Sequence, residues 1–305
     1  RLIPWKLPCE IPDSELASSS GYGPLNKQFT PQPMTSHPFF QSVDCMSKAT
    51  RFTLLLAALI LSGYHEISWA QETAQTKPAK LTHYQLMPRA SRDGIGKLYQ
   101  GREISQVMGH LGASWLERSE RQNEERPDLL IDSLGIQPGQ VVADIGAGSG
   151  YFTRRLAAKV GQEGRVMAVD IQPEMLEILR RNLTQSGIHN VRMILGKETS
   201  PNLPPNSVDL VLMVDVYHEF SFPHEMMTQI HSALKPGGQV VWVEYRLEDP
   251  TVPIKLLHKM SRQQVHKEAT FQGFEFVRSY EGLPRQHVLF YKKSSNDVPT
   301  PTSKP

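Results

Sequence analysis

The sequence predicts an α/β domain: a mostly parallel sheet with helices on both faces. Three observations carry this. After residue 140, short apolar runs bounded by turn residues alternate with amphipathic stretches, the pattern of successive strand–helix units. One run, Val208-Asp209-Leu210-Val211-Leu212-Met213-Val214, is almost continuously apolar, as a parallel strand covered on both faces should be. A glycine loop, Gly146-Ala147-Gly148-Ser149-Gly150, joins the first strand to the first helix, at the end of the sheet where open α/β folds hold ligands.

Taken in order, residues 1–45 are rich in Pro, Ser and Gly without a sustained period, and read as a disordered or non-native extension. Met46-Ser47-Lys48-Ala49-Thr50-Arg51 precedes an apolar run from Phe52 to Leu61, and small residues follow at Ser68 and Ala70. Residues 46–70 are therefore expected to be a signal peptide cleaved after Ala70. The run is too short for a stable membrane span, which needs about 20 residues. If the signal is used the protein is exported to the periplasm or envelope; otherwise it is cytoplasmic. Residues 71–94 are polar and proline-punctuated and read as a linker ahead of a domain at 95–293.

Between about Leu98 and Leu134 the reading is helical. Ile104, Met108 and Leu111 mark the first apolar face, Trp115 and Leu116 the next, and Leu129, Leu130 and Leu134 the last. Gly135 follows as a left-handed helix end, and Pro138-Gly139 turns the chain into strand one, 141–145. A helix at 151–160 and strand two at 165–170 come next. Pro173 opens a helix whose buried stripe is Met175, Leu176, Ile178 and Leu179. Strands three and four fall at 191–195 and 208–214. A helix at 223–234 ends at Lys235-Pro236-Gly237-Gly238, before strand five at 239–245. A last helix near 260–269 precedes strands at 274–280 and 286–292, joined through Gly282-Leu283-Pro284. Residues 294–305, rich in Ser, Pro and Thr, read as a frayed tail.

Composition narrows the function classes. Formal net charge is +2 over 305 residues and no basic cluster stands out, so neither nucleic acid nor an acidic membrane surface is implied as a partner. The only cysteines are Cys9 and Cys45, which leaves the domain without a disulfide framework, a thiol nucleophile or a cysteine-ligated zinc.

The chemistry is concentrated around the glycine loop. Glycines at 146, 148 and 150 allow a sharp turn and a close backbone approach, and the helix after Gly150 points its unpaired N–H groups toward the loop. The dinucleotide fingerprint is G-x-G-x-x-G, whereas this loop is G-x-G-x-G with Asp144 two residues before it. That carboxylate repels a pyrophosphate and suits a ligand bearing an ammonium or sulfonium. A second acid, Asp170, closes strand two, where a carboxylate in nucleotide-binding sheets takes ribose hydroxyls.

With these residues the chain resembles the class I S-adenosylmethionine-dependent methyltransferases, whose first motif is an acid followed by G-x-G-x-G. Gly101-Arg102-Glu103-Ile104 and Trp115-Leu116-Glu117-Arg118 are similar to a group of uncharacterised bacterial members. The resemblance implies a Rossmann-like, seven-stranded, mostly parallel sheet with an antiparallel C-terminal hairpin strand. It implies S-adenosylmethionine as cofactor and a small-molecule methyl acceptor. Asp144 would orient the cofactor's amino group beside Gly146, Gly148 and Gly150, and Asp170 would hold the ribose, serving the ligand and not the core. Ile171 and Met175 would flank the adenine, with Met175 equally readable as core. Relatives place an acid after the third-strand glycine; here Lys197 follows Gly196, leaving Glu198 as a substitute.

Asp215-Val216-Tyr217-His218-Glu219-Phe220 falls where the family lines the methyl-transfer pocket, with Asp215 counted as a cofactor contact. Tyr217 and His218 are candidates to orient or deprotonate an acceptor, histidine being the side chain that titrates near neutrality. Glu219 would steer a cationic or hydroxylated acceptor. Glu244, at the end of strand five, is the third catalytic candidate. His258-Lys259 and Gln286-His287 are placed near the same rim, and Glu103, His110, Trp115 and Arg118 as a lid. His218, Glu219 and His224 match no closed metal-ligand spacing, so no metal is expected. The alternatives are an exported S-adenosylmethionine-binding protein without transfer activity and a nicotinamide-dependent oxidoreductase, the latter disfavoured by the glycine spacing.

Overall fold

The structure is a computed structural model in which residues 83–293 are described. The expected extension at 1–45, signal at 46–70, most of the linker and the tail at 294–305 lie outside these residues. Among the described residues no helix is long and apolar enough to cross a membrane.

The chain enters through β1 (Tyr84–Leu86), β2 (Gly94–Tyr99) and β3 (Arg102–Ser105), an antiparallel three-stranded sheet. This corrects two expectations: the linker contains β1 and the start of β2, and the expected helix around Ile104 is a strand. Packing across the small sheet decided it. Ile104 points inward beside Tyr84 and Tyr99, with Phe222 packed on them, and Leu111, assigned to the same helical face, is exposed. Three short helices follow: α1 (Ala113–Leu116), α2 (Arg121–Glu125) and α3 (Pro127–Ser133).

The main sheet then builds as expected. Its elements are β4 (Val141–Ile145), α4 (Tyr151–Val160), β5 (Arg165–Asp170), α5 (Pro173–Gln185), β6 (Val191–Leu195) and β7 (Val208–Val214). After them come α6 (Pro223–Ala233), β8 (Leu234–Tyr245), α7 (Arg262–Phe271), β9 (Phe274–Tyr280) and β10 (Gln286–Lys293). The seven strands lie in the order β6-β5-β4-β7-β8-β10-β9. The first five are parallel; β10 inserts antiparallel between β8 and β9. β8 begins at Leu234, earlier than the glycines at 237 and 238 suggested, because Leu234 pairs with Val208 before the register shifts.

Strand periodicity sorts the core into two layers. Ala143, Val211, Val240 and Leu289 face α6 and α7 through Met227, Ile230, Val265 and Ala269. Their neighbours Val142, Leu212, Val241 and Val288 face α3 and α4 through Leu130, Ile131, Leu156 and Val160. α5 packs Leu179 and Leu183 against Ala168 of β5. At about 25 cal/mol per Å² of apolar surface buried, each of the Val, Leu, Ile and Met side chains among these contributes roughly 1.5–3 kcal/mol, and the paired layers fix where the strand ends stand.

Candidate active site

β4 and β5 end side by side, and the glycine loop turns between them. Gly146, Gly148 and Gly150 have φ of 71°, 53° and 84°, a region that costs a residue with a Cβ about 1–2 kcal/mol. What a Cβ would meet there is protein: Val216 at Gly146, Leu116 at Gly148 and Leu179 at Gly150. The loop's glycines therefore let the acceptor-side turn, the N-terminal helices and α5 close on it. Asp170 braces the loop from β5, accepting the Gly148 N–H at 2.9 Å on one carboxylate oxygen and the Gln172 N–H at 2.9 Å on the other. The expectation that this carboxylate serves only a ligand is thus corrected: it also holds the backbone of the site, because strand pairing leaves those two N–H groups without partners. Burial pushes its pKa up against these hydrogen bonds.

Asp144 is fully enclosed at the end of β4. It accepts the Thr153 hydroxyl at 2.6 Å, and burial pushes its carboxyl up to about 6. Asp215, just after β7, adopts φ 51°. Its Oδ2 accepts the Gln286 side-chain amide at 2.8 Å, while its Oδ1 is buried without a partner. Burial, and then Glu125 and Glu244, hold its pKa well above the usual carboxylate range. Two buried acids and a half-buried one around a glycine cradle, the last with an orphaned buried oxygen, fit a ligand with an ammonium group and hydroxyls. Ile171 follows Asp170 and packs near Gly196. Met175 is fully buried, its core reading. Glu198 lies exposed in the turn after β6.

The segment 108–118 covers the loop. Gln172 accepts the His110 N–H and donates to the Met108 carbonyl, each at 2.9 Å. Glu117 accepts the Ser149 hydroxyl at 2.6 Å and pairs with Arg154 at 2.7 Å, and Arg118 stacks on Trp115. Glu103 is not part of this cover. Its carboxylate accepts N–H groups of Ser91 at 2.9 Å and Gly96 at 3.2 Å, together with the Ser91 hydroxyl, closing the hairpin of the front sheet.

On the acceptor side, a 3₁₀ turn at Tyr217–Glu219 follows Asp215. Tyr217 corrects another expectation. Helical phase turns its ring into the core, edge-on to Trp242 and Phe220 with the Arg102 guanidinium over it, and burial drives its pKa well above the usual phenol value. It cannot reach an acceptor. His218 turns the other way and meets Glu244: Nδ1 lies 2.6 Å from Oε2, and Oε1 accepts the His218 N–H at 3.2 Å. Burial disfavours charge on both partners, pushing the imidazole down to about 3 and the carboxyl up to about 8.

Two residues were ranked lower in the sequence than the structure ranks them. Arg102 grips Glu268 of α7 at 2.8 Å and donates to the His218 carbonyl at 3.1 Å, fixing the turn. His258, from a 3₁₀ turn at Leu256–His258, stands with its ring 5.1 Å from that of His218. Glu219 lies between them, 3.9 Å from His218 Nε2 and 3.6 Å from His258 Nδ1. His224, weighed earlier beside His218, instead stacks on His83 at 3.7 Å. His287 stands across from Glu244 on β10, but its Nε2 lies 2.9 Å from Glu248.

Comparison with known proteins agrees with this geometry. Sheet order, glycine loop and flanking acids define the class, an S-adenosylmethionine-dependent methyltransferase. The methyltransferase domain model matches residues 136–289, half of the chain, and the chain belongs to that family. It is 31% identical over 169 residues to the ubiquinone/menaquinone biosynthesis C-methyltransferase UbiE of Hydrogenovibrio crunogenus, covering 52% of this chain and 65% of the relative. It is 36% identical over 156 residues to an uncharacterised methyltransferase-like protein of Schizosaccharomyces pombe, covering 51% and 57%. The chain thus spans about three fifths of the length of these relatives. A SAM-dependent methyltransferase from Aquifex aeolicus shares the fold with a TM-score of 0.58 at 23% identity, over 61% of this chain and 98% of that one.

Proposed function

We propose that the chain transfers the methyl group of S-adenosylmethionine to a small-molecule acceptor seated against His218, with a hydroxylated aromatic ring of the quinol type as the first acceptor to test. The observation that carries this is the meeting, at the C-terminal ends of adjacent strands, of a glycine loop braced by Asp170 and the buried His218–Glu244 pair. The naming of the Hydrogenovibrio relative as a quinone-pathway C-methyltransferase supports the acceptor class.

Asp144 and Asp215 would hold the ammonium end of the cofactor. Asp170 keeps a second lone pair on each oxygen for a ribose hydroxyl while holding the loop, and Ile171 would flank the base. The bound cofactor supplies an already activated methyl group. What remains for the protein is alignment of the acceptor behind that methyl, which can contribute roughly 7–11 kcal/mol of the barrier. His218, held by Glu244 through Nδ1, keeps its ring on the acceptor side with Nε2 toward Glu219. Segment 108–118 closes the other side and excludes water.

The test is transfer of labelled methyl to a panel of quinols, phenols and aliphatic hydroxyl compounds, alongside calorimetric titration with S-adenosylmethionine and with NAD. Micromolar S-adenosylmethionine binding with label in the quinol fraction supports the reading. Binding without turnover on any acceptor turns it to a binding protein, and tight NAD binding without S-adenosylmethionine binding overturns it.

A further inference from the structure

Glu219 is short of a cation. Among the described residues, the only basic groups within 4.0 Å of its carboxylate are two imidazoles, His218 at 3.9 Å and His258 at 3.6 Å. Arg102, the nearest guanidinium to this turn, is committed to Glu268 through two hydrogen bonds of 2.8 and 3.0 Å. Lys255, on the turn that carries His258, is committed to Asp93 at 2.7 Å. The three ligand-type atoms, one from each of His218, Glu219 and His258, all lie within 4.8 Å of one another. Atoms bound to one ion at 2.0–2.2 Å in tetrahedral array stand about 3.4 Å apart. The two Glu219 sides, 3.9 and 3.6 Å, need at most about half an ångström to reach that size, and the histidine–histidine side, within 4.8 Å, up to about 1.4 Å, within the reach of side-chain rotation.

We propose that His218 Nε2, a Glu219 carboxylate oxygen and His258 Nδ1 bind one divalent transition-metal ion of the zinc or iron(II) class.

Two features argue for this beyond proximity. First, His218 already has the outer partner that metal-bound histidines have: Glu244 occupies Nδ1 at 2.6 Å, which fixes the ring and leaves Nε2 facing Glu219 and His258. The carboxylate is itself held by the His218 backbone N–H, so ring and orienter form one rigid unit. Second, two imidazoles and one carboxylate are a borderline donor set that favours zinc or iron(II) over calcium or magnesium, and three protein ligands leave a position open. His258 and Glu219 are each partly exposed, at 21% and 11% of the side chain, so that position is reached from outside. The site is discontinuous, drawing two ligands from the turn after β7 and the third from the turn before α7. That is why spacing in the sequence did not reveal it. Ion binding needs no cofactor; only an effect of the ion on turnover rests on the methyl-transfer reading.

The test uses the full chain, stripped with chelator and titrated with Co²⁺ followed by visible absorption, with Zn²⁺ competition. One equivalent of Co²⁺ should give d–d bands that Zn²⁺ abolishes. His258→Ala should weaken Co²⁺ binding at least 100-fold, and Glu244→Gln, which disturbs only the orienting carboxylate, 10–100-fold. His189→Ala, an exposed histidine elsewhere, should leave the titration unchanged. S-adenosylmethionine titration of each stripped variant reports whether the fold is intact and tests the methyl-transfer reading separately. No stoichiometric Co²⁺ spectrum in the wild type, or His258→Ala binding as tightly as wild type, overturns the proposal.

Discussion

The two halves of the site are built on opposite plans. On the cofactor side, Asp144, the three glycines and Asp170 lie within 27 consecutive residues, and β5 braces the loop through the Val169 carbonyl, which accepts the Gly146 and Ala147 N–H groups, and the Asp170 carboxylate, which accepts that of Gly148. On the acceptor side, His218, Glu244, His258 and Arg102 arrive from four separate elements and are held by contacts spanning 26 to 166 residues of chain. A contiguous half is set by backbone geometry and tolerates little change in any glycine. An assembled half is set by packing and can be retuned one side chain at a time. The first suits a ligand shared by a whole family, the second an acceptor that differs between members.

The contrast is testable, most sharply where effects are largest. His218→Ala should lower kcat by about 100-fold or more, in the range of a lost acid–base or positioning group. The S-adenosylmethionine Kd should stay within about threefold, as read by calorimetry. A parallel loss of cofactor affinity would show that the two halves are not separable. Asp170→Ala should do the reverse and more. It removes the ribose acceptor and strands the Gly148 and Gln172 N–H groups, so the Kd should rise at least about 100-fold. Stability should also fall by about 2–4 kcal/mol in a denaturant titration, given 1–3 kcal/mol per buried unpaired donor.

Gly150→Ala tests the claim that the loop glycines answer to packing. The new Cβ would strike Leu179 at a φ of 84°, and a loss of about 2–3 kcal/mol is expected. Trimming the obstacle in the double variant with Leu179→Ala should recover only the steric share of that loss, measured by a double-mutant cycle.

Asp144→Asn is the smallest and carries a sign. The folded carboxyl, raised to about 6 by burial, binds a proton that the unfolded one, near 3.9, has released. Its penalty is therefore absent below about pH 4, grows through pH 4–6 and is complete above. Asn keeps an acceptor for Thr153 and escapes the penalty. The variant should be more stable than wild type at pH 7, by at most about 3 kcal/mol, and equal to it at pH 4. Its S-adenosylmethionine affinity should fall about tenfold. Equal thermal stability at both pH values would break the assignment.

These differences also explain what was legible in the sequence. From Val141 onward, apolar periodicity placed every strand of the main sheet and the helices between them, because each is a strand–helix unit whose pattern is local. The front sheet was misread because Ile104, Met108 and Leu111 mimic a helical stripe, whereas Ile104 alone is buried and packing against Tyr84 and Tyr99 decides its state. In the site, Asp144, Asp170 and the glycines could be found because their spacing is itself the signal. Tyr217 was misassigned and His258 undervalued because the side toward which a 3₁₀ turn points a residue depends on Trp242, Arg102 and Glu268. No local pattern encodes those three.

The grip of Arg102 on Glu268 and on the His218 carbonyl has a consequence for synthesis. Its anchor is made 166 residues later, which at 5–20 residues per second is a delay of roughly 8–30 s on the ribosome. For that interval the front strands have no α7 to close on, and when the acceptor turn is made, 116 residues after Arg102, the guanidinium that bonds the His218 carbonyl still lacks its Glu268 anchor. All residues of the cofactor loop are therefore synthesised well before the partner that anchors Arg102 over the acceptor turn.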